Sequence, residues 1–193
     1  TDGSAGGDNS KNDLVEKRKK ETIKALSNFA NPTFLNLKDG ELVISKNAFF
    51  KIKNLITTIK PDLILTHAPE DYHPDHRVLS KMVLDAASFF IPVLYADTLM
   101  GVNFLPDYYV DITKFFPNKE EAILFHESQN PIKFLNATRL QNRFRSAQCN
   151  TKTNNYAEAF RMEKTFPHTD IRSYLPNSPI ISPYYVSNKD SLI

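Results

Sequence analysis

Cysteine is nearly absent from this chain: Cys149 is the single one in 193 residues. That excludes an internal disulfide framework and any metal site built from several thiolates. Tryptophan is missing, and glycine is scarce at 5 residues, with Gly3, Gly6 and Gly7 crowded into the opening loop. No apolar run approaches the roughly 18–20 residues of a membrane span. The segment Thr1 to Lys20 is polar and lacks the apolar stretch of a signal peptide. Excess charge of one sign is lacking too. The 24 Lys and Arg nearly balance 22 Asp and Glu, and a net charge of +2 does not argue for nucleic acid or membrane partners. Internal repeats and low-complexity tracts are absent. The expectation is a cytoplasmic protein of one domain, with no nucleic-acid partner and no transmembrane segment. What is present, 41% apolar and 11% aromatic residues, suffices for a packed core.

The pattern along the chain is that of an α/β protein. After the loop TDGSAGGDNSKND, residues from Asp13 to about Phe29 read as a helix, with apolar Leu14, Ile23, Leu26 and Phe29 among charges. Phe34 to Leu37 reads as a short strand or edge segment, followed by a turn at Lys38-Asp39-Gly40. A second helix is expected from Asn47 to Ile59, where Phe49, Ile52, Leu55, Ile56 and Ile59 form one apolar face. Leu63 to Thr66 is a short apolar run between turn signals, as expected of a buried parallel strand. The loop HAPEDYHPDH follows, then a helix over Arg77–Phe90 and a strand over Pro92–Ala96. Tyr108–Ile112 is a further strand, and Lys119–Gln129 and Lys133–Arg145 are helices. This alternation predicts a Rossmann-like open, mostly parallel sheet flanked by helices. A domain over residues 1–164 and an extended tail over 165–193, rich in Pro, Ser, Tyr and Asn, complete the division.

In such sheets ligands sit beyond the carboxyl ends of the strands, which is where HAPEDYHPDH falls. Glu70, Asp71, His73, Asp75 and His76 lie within seven residues. Histidine and carboxylate groups are ligands for Zn²⁺, and a catalytic zinc takes about three of them plus an open water position. His73 and His76 both reach one small site, with Pro74 stiffening the link. The loop offers one or two ligands, and the rest must come from elsewhere. A merely solvated polar loop is the competing reading. His67 and His168 read as ordinary polar residues.

These residues form an ordered series: Thr1-Asp2-Gly3-Ser4, Arg18-x-x-Glu21, Phe34-Leu35-x-Leu37-x-Asp39-Gly40, Pro61-Asp62-x-Ile64-x-Thr66-His67, and Asp71-x-His73-Pro74-Asp75-His76. Later blocks follow at Asp97-Thr98, Asn103-Phe104-x-Pro106, Tyr109 to Thr113, His126-x-Ser128-Gln129 and Tyr156 to Phe160. The series resembles the LmbE-like, or PIG-L, zinc-dependent de-N-acetylases over roughly residues 1–161. The resemblance implies hydrolysis of the N-acetyl group of an N-acetylated sugar or glycoside, such as an N-acetylglucosamine derivative, with Zn²⁺ as cofactor. Fe²⁺ is an alternative for a His/carboxylate set with open positions.

The resemblance further implies that His76 is a zinc ligand and His73 the catalytic histidine, with Asp75 orienting His73. Arg18, Asp39, Asp71 and His126 are expected to line the substrate pocket. Alternative readings stand beside these. Arg18 sits in the charged run EKRKKE and fits a solvated helix face, Asp39-Gly40 is also an ordinary turn, and His126 suits a structural role equally. Glu21 is expected to partner the N-terminal loop, and Tyr156 to Phe160 to pack the C-terminal segment against the sheet. One departure is large. Relatives begin with a strand ending in His-Pro-Asp-Asp-Glu, which supplies two zinc ligands and the general base, and this sequence has no such motif. Either the chain is a fragment or it is a degenerate, non-catalytic relative, and the intact later blocks favour the fragment. An exposed sheet edge with apolar surface is then expected, covered by a second copy or by the missing N-terminal segment.

Overall fold

The computed structural model describes residues 1–6, 11–88, 90–151, 154–164 and 175–180. The expected tail therefore lies outside the described residues apart from 175–180, and so does His168. Among the described residues, five α-helices and four strands follow in the order α1 (Lys11–Ala25), α2 (Lys46–Ile59), β1 (Ile64–His67), α3 (Pro74–Ala87), β2 (Val93–Ala96), β3 (Tyr108–Asp111), α4 (Phe116–Leu124), α5 (Pro131–Gln148) and β4 (Ala157–Met162). No helix among the described residues is long and apolar enough to cross a membrane.

The strands form one sheet in the order β1-β2-β4-β3. β1 and β2 are parallel, while β4 runs antiparallel to both β2 and β3. Three strands thus share one direction, and the fourth is inserted between two of them. This corrects the expectation for Tyr156 to Phe160. Ala157–Phe160 does not pack against the sheet but forms part of a central strand, buried at Ala157 and Ala159 on one face and at Phe160 and Met162 on the other. The expected strand at Phe34–Leu37 does not form either. Leu35 and Leu37 still pack on the core, but the backbone engages the N-terminal loop, with Asp2 N donating to Leu37 O at 2.7 Å.

Local signals set the helix ends. Ser45 caps α2, its hydroxyl accepting from Ala48 N at 3.2 Å, and Lys60 closes it in a left-handed conformation before Pro61. Pro74 opens α3 at the first helical position, where its missing N–H costs nothing. α2 packs on α3 and α3 on β1. Alternation along β2 then divides the core. Val93 and Tyr95 face a cluster with Ala68, Ala87 and Phe104, and Leu94 faces another with Val110, Phe160 and Met162. β1 is an edge strand, and Leu65 upon it is 57% exposed. This crossover brings the carboxyl end of β1 and the start of α3 to one rim, where the histidines collect.

Candidate metal centre and substrate cleft

His67 is the last residue of β1, and Ala68 behind it is fully buried. The chain turns at once, with Asp71 N donating to Ala68 O at 3.1 Å. Asp71 is itself buried, 5% exposed, and Oδ1 of its carboxylate accepts from His73 N at 2.9 Å. That bond two residues on is how aspartate stabilises a turn. The same oxygen lies 2.9 Å from His76 Nδ1. A carboxylate only accepts, so the proton in this contact sits on His76 Nδ1.

The His76 ring stacks on that of His67, centroids 3.8 Å apart and ring planes nearly parallel at 3°. One ligand atom from each of His67, Asp71 and His76 falls within 4.8 Å of the others. Burial first, and then the neighbouring His76, hold the His67 pKa down to about 4 against the opposing pull of Asp71. His67 is therefore neutral at pH 7 and offers a nitrogen lone pair. His73 stands beside them, its ring centroid 4.6 Å from that of His76, with Tyr72 edge-on to both rings.

The structure brings His73, Asp75 and His76 to one rim, with Asp75 engaged elsewhere. Its carboxylate does not reach the His73 ring. It accepts from Gly40 N at 2.7 Å and Leu42 N at 3.2 Å, buried to 4% exposure in the first turn of α3. A carboxylate there is favoured by the helix dipole, and it ties the loop at residues 39–42 to the helix. Asp75 meets His73 through its backbone instead, its N–H donating to His73 Nδ1 at 3.2 Å. His73 is thus the N-cap of α3.

A cleft of about 1040 Å³ opens beside these rings. Arg18, Asp39, His73, Asp75, His76 and His126 all line it. Arg18, however, is not a free fork for a ligand. Its Nη1 donates to Gly3 O and Ala5 O at 2.7 Å, its Nη2 to Gly6 O at 2.8 Å, and Asp39 Oδ2 lies 3.4 Å away. Gln129 completes the shell, its amide oxygen facing the guanidinium and accepting from Nε at 2.6 Å. Asp39 is engaged by the same loop, through Thr1 Oγ1 at 2.9 Å and Ala5 N at 3.2 Å. These two residues shape the cleft by holding residues 1–6 in place. Glu21 does not serve that loop. It is buried and accepts from Ser128 N at 2.9 Å and Ser128 Oγ at 2.6 Å, anchoring the segment that follows His126.

A second cavity of about 370 Å³ lies across the cluster, sharing His67, Tyr72 and His76 with the first. Its far wall holds Lys119, which pairs with Glu158 and donates to Asn142 Oδ1 at 3.0 Å. The residue that sequence reasoning passed over is His67. The signal was its position as the final residue of a strand whose carboxyl end had already been read as the ligand edge.

The family model PIG-L: GlcNAc-PI de-N-acetylase matches residues 1–87, which bears out the resemblance read from the ordered blocks. Among solved structures, N,N'-diacetylchitobiose deacetylase from Pyrococcus horikoshii is similar in fold, with TM-score 0.72 and 22% identity over 90% of this chain and 75% of that one. The 4-carboxy-2-hydroxymuconate hydratase GalB from Pseudomonas putida KT2440 gives TM-score 0.69 and 17% identity over 86% and 79%. The conserved protein TT1542 from Thermus thermophilus gives 0.65 and 21% over 80% and 78%. These likenesses establish the fold, and one fold here hosts a deacetylase and a hydratase.

Proposed function

We propose that this chain carries the histidine side of a metal-dependent N-deacetylase centre. The reaction hydrolyses the N-acetyl group of an N-acetylated sugar or glycoside to acetate and a free amine. The observation that carries this is the cluster of His67, Asp71 and His76, where two imidazoles that line a large cleft converge with one carboxylate oxygen. The family match over residues 1–87 and the deacetylases among its structural neighbours support the same reading. The donor set suits Zn²⁺ and also Fe²⁺.

His67, Asp71 and His76 would hold a divalent cation, which would supply water activation near neutral pH and polarisation of the acetamide carbonyl. The side chains do the rest. Asp71 keeps the proton of His76 on Nδ1, so that Nε2 is the atom presented as a ligand. His73 Nδ1 accepts from the helix backbone, so its neutral ring bears the proton on Nε2. That N–H is a donor suited to the oxyanion that develops on the acetamide. Taking up a second proton on Nδ1 would break the helix cap, so the geometry favours oxyanion stabilisation over shuttling. Among the described residues, the carboxylates lining the cleft, Asp2, Asp39 and Asp75, all accept hydrogen bonds from the protein.

Metal content of the chain purified without added metal or chelator, with acetate release from a panel of N-acetylhexosamines, tests the proposal. Zinc bound by the chain and lost in His76→Ala is the expected result, with any turnover falling on the N-acetylhexosamines. Metal retained by His76→Ala would overturn it. So would turnover confined to phosphate esters or to an unsaturated hydroxy acid.

A further inference from the structure

Glu70 stands between His67 and Asp71 in the chain, yet it is neither in the ligand set nor on the wall of the cleft. Its carboxylate turns to the sheet, where it pairs with Arg161 of β4: Nη2 donates to Oε2 at 2.7 Å, while Nη1 lies 2.5 Å from Oε1, an ion contact without a hydrogen bond. The guanidinium is itself held between rings, its carbon 5.6 Å from the Tyr95 centroid and 5.0 Å from that of Phe104. Tyr95 is the register partner of Arg161 across the β2–β4 ladder, and its hydroxyl donates to Glu163 at 2.5 Å. On the opposite side of the loop, Arg77 Nη1 donates to Asp71 O and Tyr72 O, each at 2.8 Å. The segment carrying Asp71 is therefore tied to a central strand by one arginine and to α3 by another.

We propose that Glu70 and Arg161 are positioning residues for the candidate metal centre. They hold the loop so that Asp71 meets His76 Nδ1, and by fixing that tautomer they aim His76 Nε2 at the ligand cluster. The pair anchors the loop to β4 through one charge-assisted hydrogen bond and a second close ion contact. That matters because ligand constellations tolerate displacements of only about 0.5 Å. Without the pair, the loop keeps its turn bond to Ala68 O and its Arg77 contacts but loses its tie to the sheet. The inference rests on the metal-centre reading for its functional meaning, while the tautomer of His76 is a property of the chain alone.

The test uses Glu70→Gln, nearly identical in shape, Arg161→Met and the double variant. Nitrogen-15 NMR of the metal-free chain reports the His76 tautomer, and titration with Zn²⁺ alone reports affinity. In the wild type His76 is a single Nδ1–H tautomer. Both single variants should show a tautomer mixture and lose about 10–100-fold in zinc affinity, with far-UV circular dichroism unchanged and the double variant no worse than either. If Arg161→Met fails to fold, Glu70→Gln carries the test. A His76 tautomer that stays Nδ1–H in Glu70→Gln overturns the positioning role. A wild-type chain that binds no zinc, while its tautomer responds to the variants, overturns the metal reading and leaves the positioning role standing.

Discussion

Arg145 provides the sharpest energetic test of the fold around the site. Its side chain is 3% exposed, and its partner Asp97 follows directly on β2. Nε and Nη2 reach the two carboxylate oxygens at 2.6 and 2.9 Å, and Nη1 donates to Gln148 Oε1 at 2.9 Å. Even the approach of Gly101 is matched to this guanidinium, since a Cβ there would lie 2.6 Å from Nη2. Asp97→Ala strands a buried positive charge, and removing one partner of a buried pair costs about 3–5 kcal/mol. A domain of this kind has roughly 5–15 kcal/mol of stability in all, so the midpoint of a urea transition should fall by a large fraction with the slope unchanged. Removing both charges, as Asp97→Ala with Arg145→Met, relieves the stranded charge. The double variant should recover about 2 kcal/mol relative to the sum of the singles. The measurement is equilibrium urea unfolding followed by circular dichroism on the four species of the cycle. Additive single costs, or an Asp97→Ala cost below about 1 kcal/mol, would refute the buried, bidentate pairing. Because Asp97 and Thr98 line the smaller cavity beside His67, the same pair braces one wall of the site.

Gly3 has φ +71°, and a Cβ there would lie 2.9 Å from Arg18 Cδ, so Gly3→Ala should cost roughly 1–2 kcal/mol and lower the thermal midpoint by several degrees. Scanning calorimetry would show it, and an unchanged midpoint would contradict the Arg18 clamp. Burial, and after it the hydrogen bond and charge of Glu163, push the Tyr95 phenol well above its usual range. The native state then holds this proton more tightly than the unfolded chain. The associated stability is present below about pH 10, the unfolded tyrosine value, and is lost as pH rises beyond it. Urea midpoints between pH 8 and 11 should fall less steeply in Tyr95→Phe than in the wild type. Parallel slopes would count against the assigned environment.

The local sequence was sufficient for the elements. Apolar spacing in Asn47 to Ile59 marked α2, Lys60-Pro61 marked its end, and the runs before Thr66 and Ala96 marked two parallel strands, because periodicity and breakers act over a few residues. HPDH was legible as a reactive cluster for the same reason: Pro74 and the start of α3 place His73 and His76 side by side whatever the rest of the chain does. Partners distant in sequence were another matter. That Asp75 would be held by Gly40 and Leu42, that Arg18 would be surrounded by loop carbonyls, and that Glu21 would reach Ser128 are consequences of contacts between segments far apart in the chain, 107 residues in the last case. His67 looked ordinary because a histidine at a strand end gains meaning only when the crossover lays another ring against it. Ala157–Met162 is a central strand because its backbone pairs with both β2 and β3 and it buries side chains on both faces, which depends on strands distant in sequence. The sequence by itself determined which groups can do chemistry. Tertiary packing decided which of them are free to do it, since a buried carboxylate or guanidinium takes whatever hydrogen-bond partner the fold brings within about 3 Å, and that choice leaves His67, His73 and His76 facing the cleft.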